Sequence, residues 1–351
     1  RHARPAAARG GPAADGPPAG RPAGELTMQT LERVAEQAAR ARPADCAIAV
    51  FAYNEAAHLP RCLEALARAG QGQATDVTVV LNGSTDASPE VATAAMRRLG
   101  LRGRIALIPQ ADKSNALNQY IHRLRVAAPL HAFVDAYAAI TPDSLRLLAQ
   151  ALRDAPEASG AAAVPSTGRS AALLRRQMLE QPGLHGSLFM LRGSFVERMA
   201  AQGLRLPLNF YRGDGLLSSL LLHDLDAHGG DWQPRLIVVE PRATWEGPVL
   251  RPWRWSDLRR YWRRQLQQAR GRLQWPALRQ VIYDPAQAGF ASMPPEADAL
   301  ALSWLAEAPA DRSPRWWRDP FGAMALRRMR QAPPPPPPER LLPRVLMEFA
   351  P

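Results

Sequence analysis

The sequence predicts an α/β fold built on a mixed, mainly parallel sheet flanked by helices, with a basic, tryptophan-rich helical extension at its C-terminal side. Short apolar, β-prone runs at Ala47 to Val50, Val77 to Leu81, Ile105 to Ile108 and Ala132 to Val134 alternate with helix-length segments. That alternation is the pattern of βαβ units. Polar motifs stand at or just after the end of each run, where an open parallel sheet binds its ligands. All nine tryptophans lie from Trp232 onward, beside a concentration of arginine.

Residues 1–27 are dominated by Ala, Gly, Pro and Arg, too poor in large apolar side chains to build a core, and read as a disordered tail. Met28 is the first methionine, as a mispredicted start or an upstream fragment would leave it. A short helix is expected over 31–41. The main domain is expected over 28–250, its first strand opening at Cys46. Phe51-Ala-Tyr53-Asn54-Glu55 closes that strand, ahead of a helix from about Ala57 to Ala69. Asn54 suits a helix cap, and with Glu55 it can equally face a ligand across the sheet edge. After the second strand, Asn82-Gly83-Ser84-Thr85-Asp86 reads as a tight turn in which Asp86 or Ser84 caps the next helix, or in which an amide meets the edge of a base.

Asp112-Lys113-Ser-Asn-Ala-Leu-Asn118 follows the third strand. A helix N-terminus with a cation beside it attracts phosphate; the plainer reading of Lys113 is a solvated surface lysine. Asp135 ends the fourth strand in a strongly apolar neighbourhood, where a carboxylate requires a partner. A divalent cation bridging it to a diphosphate is one such partner, and a structural hydrogen bond is the other. Asp214 stands between Gly213 and Gly215, just before the apolar segment Leu216 to Leu222, as a helix cap or as a general base.

The chain has 351 residues, is 46% hydrophobic and carries a formal net charge of +12, enough for a large core and one main domain. Lys113 is its only lysine. Cys46 and Cys62 lack metal-ligand or redox spacing, so free thiols in a reducing, cytoplasmic setting are expected. No apolar run reaches membrane-spanning length.

In this order the motifs resemble the family 2 glycosyltransferases of the GT-A fold, from about Cys46 to about Trp275. The resemblance implies a Rossmann-type sheet and a nucleotide-sugar donor, with Tyr53, Asn54, Glu55, Asn82, Asp86, Lys113, Asn118 and Asp135 on the donor side. Asn82 takes the place of the first Asp in the family's Asp-Gly-Ser-Thr-Asp loop. Lys113 to Asn118 look like its Lys-Gly-x-Ala-x-Asn segment. Asp135 falls in the metal-binding Asp-x-Asp, which implies Mg²⁺ or Mn²⁺, but Tyr137 replaces the second Asp, so the metal would rest on Asp135, the donor phosphates and a histidine such as His223 or His228. Gly213-Asp214 stands where the family has Glu-Asp, making Asp214 the catalytic base, and Gly186 to Arg192 resemble the acceptor-side segment. Gln267-Gln268-Ala269-Arg270-Gly271 only half matches the Gln-x-x-Arg-Trp of processive synthases. Transfer of a single sugar with inversion is therefore implied. A transferase-like binding protein without catalysis, and a membrane-peripheral scaffold, are the alternatives.

Residues 251–331 are expected to form the basic helical extension. Between Arg251 and Arg279 nine arginines face the single acid Asp257, a local +8. Ser256 is the expected N-cap. Leu258, Tyr261, Trp262, Leu266, Ala269 and Leu273 recur at helical spacing on one face, and Arg259, Arg260, Arg263, Arg264 and Arg270 occupy much of the rest. Such a helix suits an anionic membrane surface presenting a lipid-linked acceptor, peripheral at the inner face of the membrane. Alternatively its apolar face packs on the catalytic domain, with arginines in solvent or facing donor phosphates. Nucleic acid is not expected, because no nucleic-acid motif accompanies the charge. Residues 332–351 read as a Pro-rich tail, with Pro333 to Pro338 in an extended left-handed helix.

Overall fold

The computed structural model describes residues 43–168, 170–229, 231–248 and 253–350. The expected tail over 1–27 and helix over 31–41 lie outside these residues. The first strand, β1 (Cys46–Ala52), is buried along its whole length. Cys46, Ile48, Val50 and Ala52 enter one core cluster, while Ala49 and Phe51 enter another. Period-two alternation between two apolar layers is what a central parallel strand covered on both faces requires.

The helix α1 (Leu59–Ala69) starts two residues later than expected, with Pro60 in its first turn, where the missing N–H costs nothing. It is followed by β2 (Thr75–Asn82), α2 (Ser88–Leu99), β3 (Gly103–Ile108) and α3 (Lys113–Gln119), which runs on into a π-helical turn. Then come β4 (Leu130–Asp135), the short β5 (Ala139–Ile140), α4 (Ser144–Asp154), β6 (Gly160–Pro165), α5 (Ala171–Glu180), β7 (Leu188–Arg192), α6 (Gly193–Ala201), α7 (Gly213–Leu222) and β8 (Ile237–Glu246). The sheet order is β5-β8-β6-β7-β4-β1-β2-β3-β9. The strands β3, β2, β1 and β4 pair in parallel, and β7 joins β4 antiparallel. All four parallel strands therefore end on the same edge of the sheet, which gathers Tyr53, Asn82 and Asp135 there.

The long helix α8 (Trp255–Tyr283) forms the backbone of the extension, with α9 (Ala297–Glu307) and α10 (Pro320–Arg330) packed along it. It begins one residue before the expected cap at Ser256. Of the expected apolar face, Leu266, Ala269 and Leu273 are buried, but Tyr261 and Trp262 are 46% and 51% exposed. Leu278 and Ile282 lie in the same core cluster as Phe133 and Leu217, so α8 is anchored to the α/β unit by its C-terminal half. Beyond the prolines, the C-terminal segment departs from expectation. Residues 332–337 form no regular hydrogen-bonded element, yet Arg344–Phe349 form β9, which pairs antiparallel with β3. Among the described residues no helix is long and apolar enough to cross a membrane, and Cys46 and Cys62 are buried free thiols.

Candidate active site

The loops after β1 and β2 are laced together by their own motif residues. Asn54 adopts a left-handed backbone, φ 53°, which asparagine tolerates better than most side chains. Its amide donates to Ser84 Oγ (3.1 Å), and its Oδ1 accepts from the Thr85 amide (2.7 Å). Asp86 accepts from the amides of Ala56 and Ser88, each at 3.1 Å, and from the Ser88 hydroxyl. Desolvation raises the Asp86 pKa, but these hydrogen bonds outweigh it and hold the carboxyl below its usual range. Asn82 Oδ1 accepts from the Asp112 amide at 2.9 Å, and Asp112 in turn caps α3 by accepting from the Asn115 amide. Gly83, at φ +70°, lies so close to Ala111 that a Cβ there would be 2.5 Å from it. Asn54, Asn82 and Asp86 thus fix the floor of the crevice. Tyr53 stands exposed at its rim.

The ionisable groups meet at one point. The Lys113 ammonium, at the first position of α3, donates to Asp135 Oδ1 at the end of β4. Asp214, in the first turn of α7, accepts at Oδ2 from the Gly186 amide (3.1 Å) and at Oδ1 from the Gly215 amide (2.9 Å). The segment carrying Gly186 is held on α7 a second time, through Leu184 N–H to Ser218 Oγ at 2.8 Å. A Cβ on Gly186 would lie 2.9 Å from Lys113 Nζ, 3.4 Å from Asp135 Oδ2 and 3.5 Å from Asp214 Oδ2. A glycine lets this backbone pass among the three charges without displacing any of them. Burial works against the charge on Lys113, but the carboxylates of Asp135 and Asp214 raise its pKa above the ordinary lysine value.

His185 adjoins this cluster, its ring stacked on Trp245 with 5.0 Å between centroids. Burial lowers its pKa against the pull of Asp214 and Asp135, so the imidazole is held neutral at pH 7. The Tyr137 hydroxyl is 3.1 Å from Ser187 Oγ, and burial, reinforced by Asp135, pushes its pKa well above that of an ordinary phenol. Glu55 Oε2 is 2.6 Å from His58 Nδ1 and 3.5 Å from Arg260 Nη2, on α8.

The expected divalent cation does not fit this donor set. Asp135 Oδ1 already holds an ammonium, and the position of the second carboxylate carries a neutral phenol bonded to Ser187. Among the described residues no three His, Cys, Asp or Glu side chains are grouped to hold a metal. His223 ends α7 against Trp232, Tyr283 and Phe290, roughly 13 Å along the helix axis from Asp214. The expectation that it completes a metal site is therefore corrected. His228 follows five residues further on, in the loop after α7.

Two other expected ligands are bonded into the fold. Asn118 is buried and exchanges two hydrogen bonds with Leu206, Nδ2 to the carbonyl (2.8 Å) and Oδ1 from the amide (2.9 Å). Arg192 donates to the carbonyls of Ala158 and Ala155, at 2.6 and 3.2 Å, and to that of Leu152, which closes the C-terminus of α4. Conversely, His185 and Tyr211 were not picked out by the sequence motifs. His185 is the residue before Gly186, and that adjacency was its one available signal.

Comparison with known proteins gives a family match and a likeness of fold. Residues 47–210 match the family model described as glycosyl transferase family 2. Lys113, Asp135 and Gly186 lie inside the matched span, and Asp214 lies just beyond it. Curated proteins give no match. The structure is similar to that of a mannosyltransferase from Pyrobaculum calidifontis solved in complex with GDP-Man and Mn²⁺, at 19% identity and TM-score 0.53, covering 88% of this chain and 84% of that chain. A glucosyl-3-phosphoglycerate synthase from Mycobacterium tuberculosis, in complex with Mn²⁺, UDP-glucose and phosphoglyceric acid, is similar at 16% identity and TM-score 0.43, covering 66% of this chain and 78% of that chain.

Proposed function

We propose that this chain, a family 2 glycosyltransferase using a nucleotide-sugar donor, moves one sugar onto an acceptor hydroxyl with inversion, and that Asp214 is the general base. The observation that carries the reading is the convergence of Asp214, Lys113 and Asp135 around the Gly186 backbone. The acceptor oxygen attacks the anomeric carbon on the face opposite the leaving group as Asp214 takes its proton. The bond between that carbon and the phosphate oxygen breaks, and its electron pair leaves with the nucleoside diphosphate. Lys113, charged at neutral pH, stands where the developing negative charge is stabilised. The amides of Gly186 and Gly215 orient the Asp214 carboxylate, and the laced loops after β1 and β2 support the nucleotide.

The acceptor is proposed to be lipid-linked and met at an anionic surface. Supporting this, Trp253, Trp255, Trp262, Trp316 and Trp317 are each at least half exposed, at 78, 70, 51, 70 and 65%, and the first three lie in or next to the arginine-rich N-terminal half of α8. Indole rings are favoured at the membrane–water interface.

Asp214→Asn tests the assignment of the base. Donor binding by calorimetry should be retained, while transfer falls by about two to four orders of magnitude. Near wild-type transfer would remove Asp214 from the mechanism. Donor binding by the native protein without turnover on a broad acceptor panel would favour a binding protein over an enzyme.

A further inference from the structure

One face of α8 is turned toward the active site. Gly271 packs so tightly on the segment leading into Asp214 that a Cβ would lie 2.9 Å from Arg212 Cγ and 3.6 Å from Tyr211 Cδ1. One turn on, Gln274 donates to the Asn209 carbonyl at 2.9 Å and accepts from the Tyr211 amide at 3.4 Å. At the other end of the same face, Arg260 reaches Glu55 at 3.5 Å. Positions 260, 264, 267, 271 and 274 follow one another at steps of four and three, so they share a face of the helix. With both ends of that face fixed to the rim of the crevice, about 21 Å apart, Arg264 stands between them over the opening. Tyr137, His185 and Tyr211, which surround Lys113 and Asp135, all respond to its charge. Arg264 is exposed, and among the described residues no carboxylate lies within ion-pair distance of it.

We propose that Arg260 and Arg264, together with Lys113, form the subsite for the donor's diphosphate, and that this subsite replaces a divalent cation in donor binding and in leaving-group departure. The proposal rests on the glycosyltransferase reading above. A departing nucleoside diphosphate gains charge on its terminal phosphate as the bond from the anomeric carbon to oxygen breaks. Guanidinium groups meet two phosphate oxygens at once through paired N–H donors, and no proton need be transferred to the leaving group. Glu55 holds Arg260 by an ion pair that leaves other donors of the guanidinium for phosphate. Arg264 brings a cation that no carboxylate among the described residues pairs. The Lys113–Asp135 pair, which obstructs a metal at Asp135, is then part of the phosphate site itself.

The test is isothermal calorimetry on the full chain, with UDP, GDP, ADP, CDP and dTDP and with inorganic pyrophosphate as a base-free probe. Each is run in chelator and again with excess Mn²⁺. At least one nucleoside diphosphate should bind in chelator with a Kd within about threefold of its value in Mn²⁺. In chelator, Arg264→Gln should weaken that binding by on the order of tenfold, the scale of one charged hydrogen-bonding contact, and Arg260→Gln should weaken it similarly. Arg328→Gln, an equal loss of charge on the exposed side of α10, should leave it unchanged, and circular dichroism should show all three variants folded. Binding that appears only with Mn²⁺, or wild-type affinity in Arg264→Gln, would overturn the proposal while leaving the transferase reading intact. If no nucleoside diphosphate binds under either condition, both readings fall. A second readout is transfer itself, which should persist in chelator.

Discussion

Gly186 lies where a single methyl group reports on three charges. A Cβ at this position meets the ammonium of Lys113 first, and the end of a long flexible side chain can swing aside at little cost. Gly186→Ala should therefore fold normally, with a thermal midpoint close to that of the native protein. Donor affinity and transfer should each fall by tenfold or more, because the displaced ammonium no longer stands between the two carboxylates. Equal loss of stability and activity would mean that the backbone itself had shifted. Lys113, Asp135 and Asp214 were legible in the sequence because ionisable groups at strand ends and between glycines have few structural uses. Asn118 and Arg192 stood in equally suggestive motifs, yet both bond to main-chain carbonyls or amides that only the fold brings near. A side chain satisfied by distant backbone cannot be told from a ligand-binding one by spacing alone. The role of Arg264 was hidden for a different reason. Seven arginines lie on this one helix, and composition does not say which of them faces the crevice.

At the level of elements, the parallel strands were readable because each is apolar along its length and bounded by turn residues. The strand β9 was not, since an edge strand takes its register from a partner that lies far away in sequence. The helix α4 offers a test of an element's termination. Its last turn presents carbonyls that find donors in the guanidinium of Arg192. Arg192→Ala should lower stability by about 2 kcal/mol, the range for hydrogen bonds to a charged group, as measured by urea denaturation. Nucleotide affinity in that variant should stay at the native value. A selective loss of acceptor binding at unchanged stability would restore Arg192 to the acceptor side, where the family resemblance had put it.

On the scale of the whole molecule, α8 divides its arginines between two surroundings. Arg260 turns to the crevice, while Arg259 and Arg263 are exposed beside Trp255 and Trp262. If the outer side meets an anionic bilayer, the native protein should co-sediment with vesicles containing acidic lipid at low salt and release them as salt is raised. The double substitution Arg259→Glu, Arg263→Glu should abolish that association and spare nucleotide binding. No sedimentation of the native protein at low salt would end the membrane reading. The pairing of β9 with β3 bears on how the chain is made. From the time residues 103–108 leave the ribosome until residues 344–349 follow, β3 carries a row of open amides and carbonyls on its outer side. At 5–20 residues per second, that interval lasts on the order of ten seconds or more. During synthesis the nascent protein is thus exposed to strand addition by its neighbours on the same message, and protection arrives only with its final hexapeptide strand.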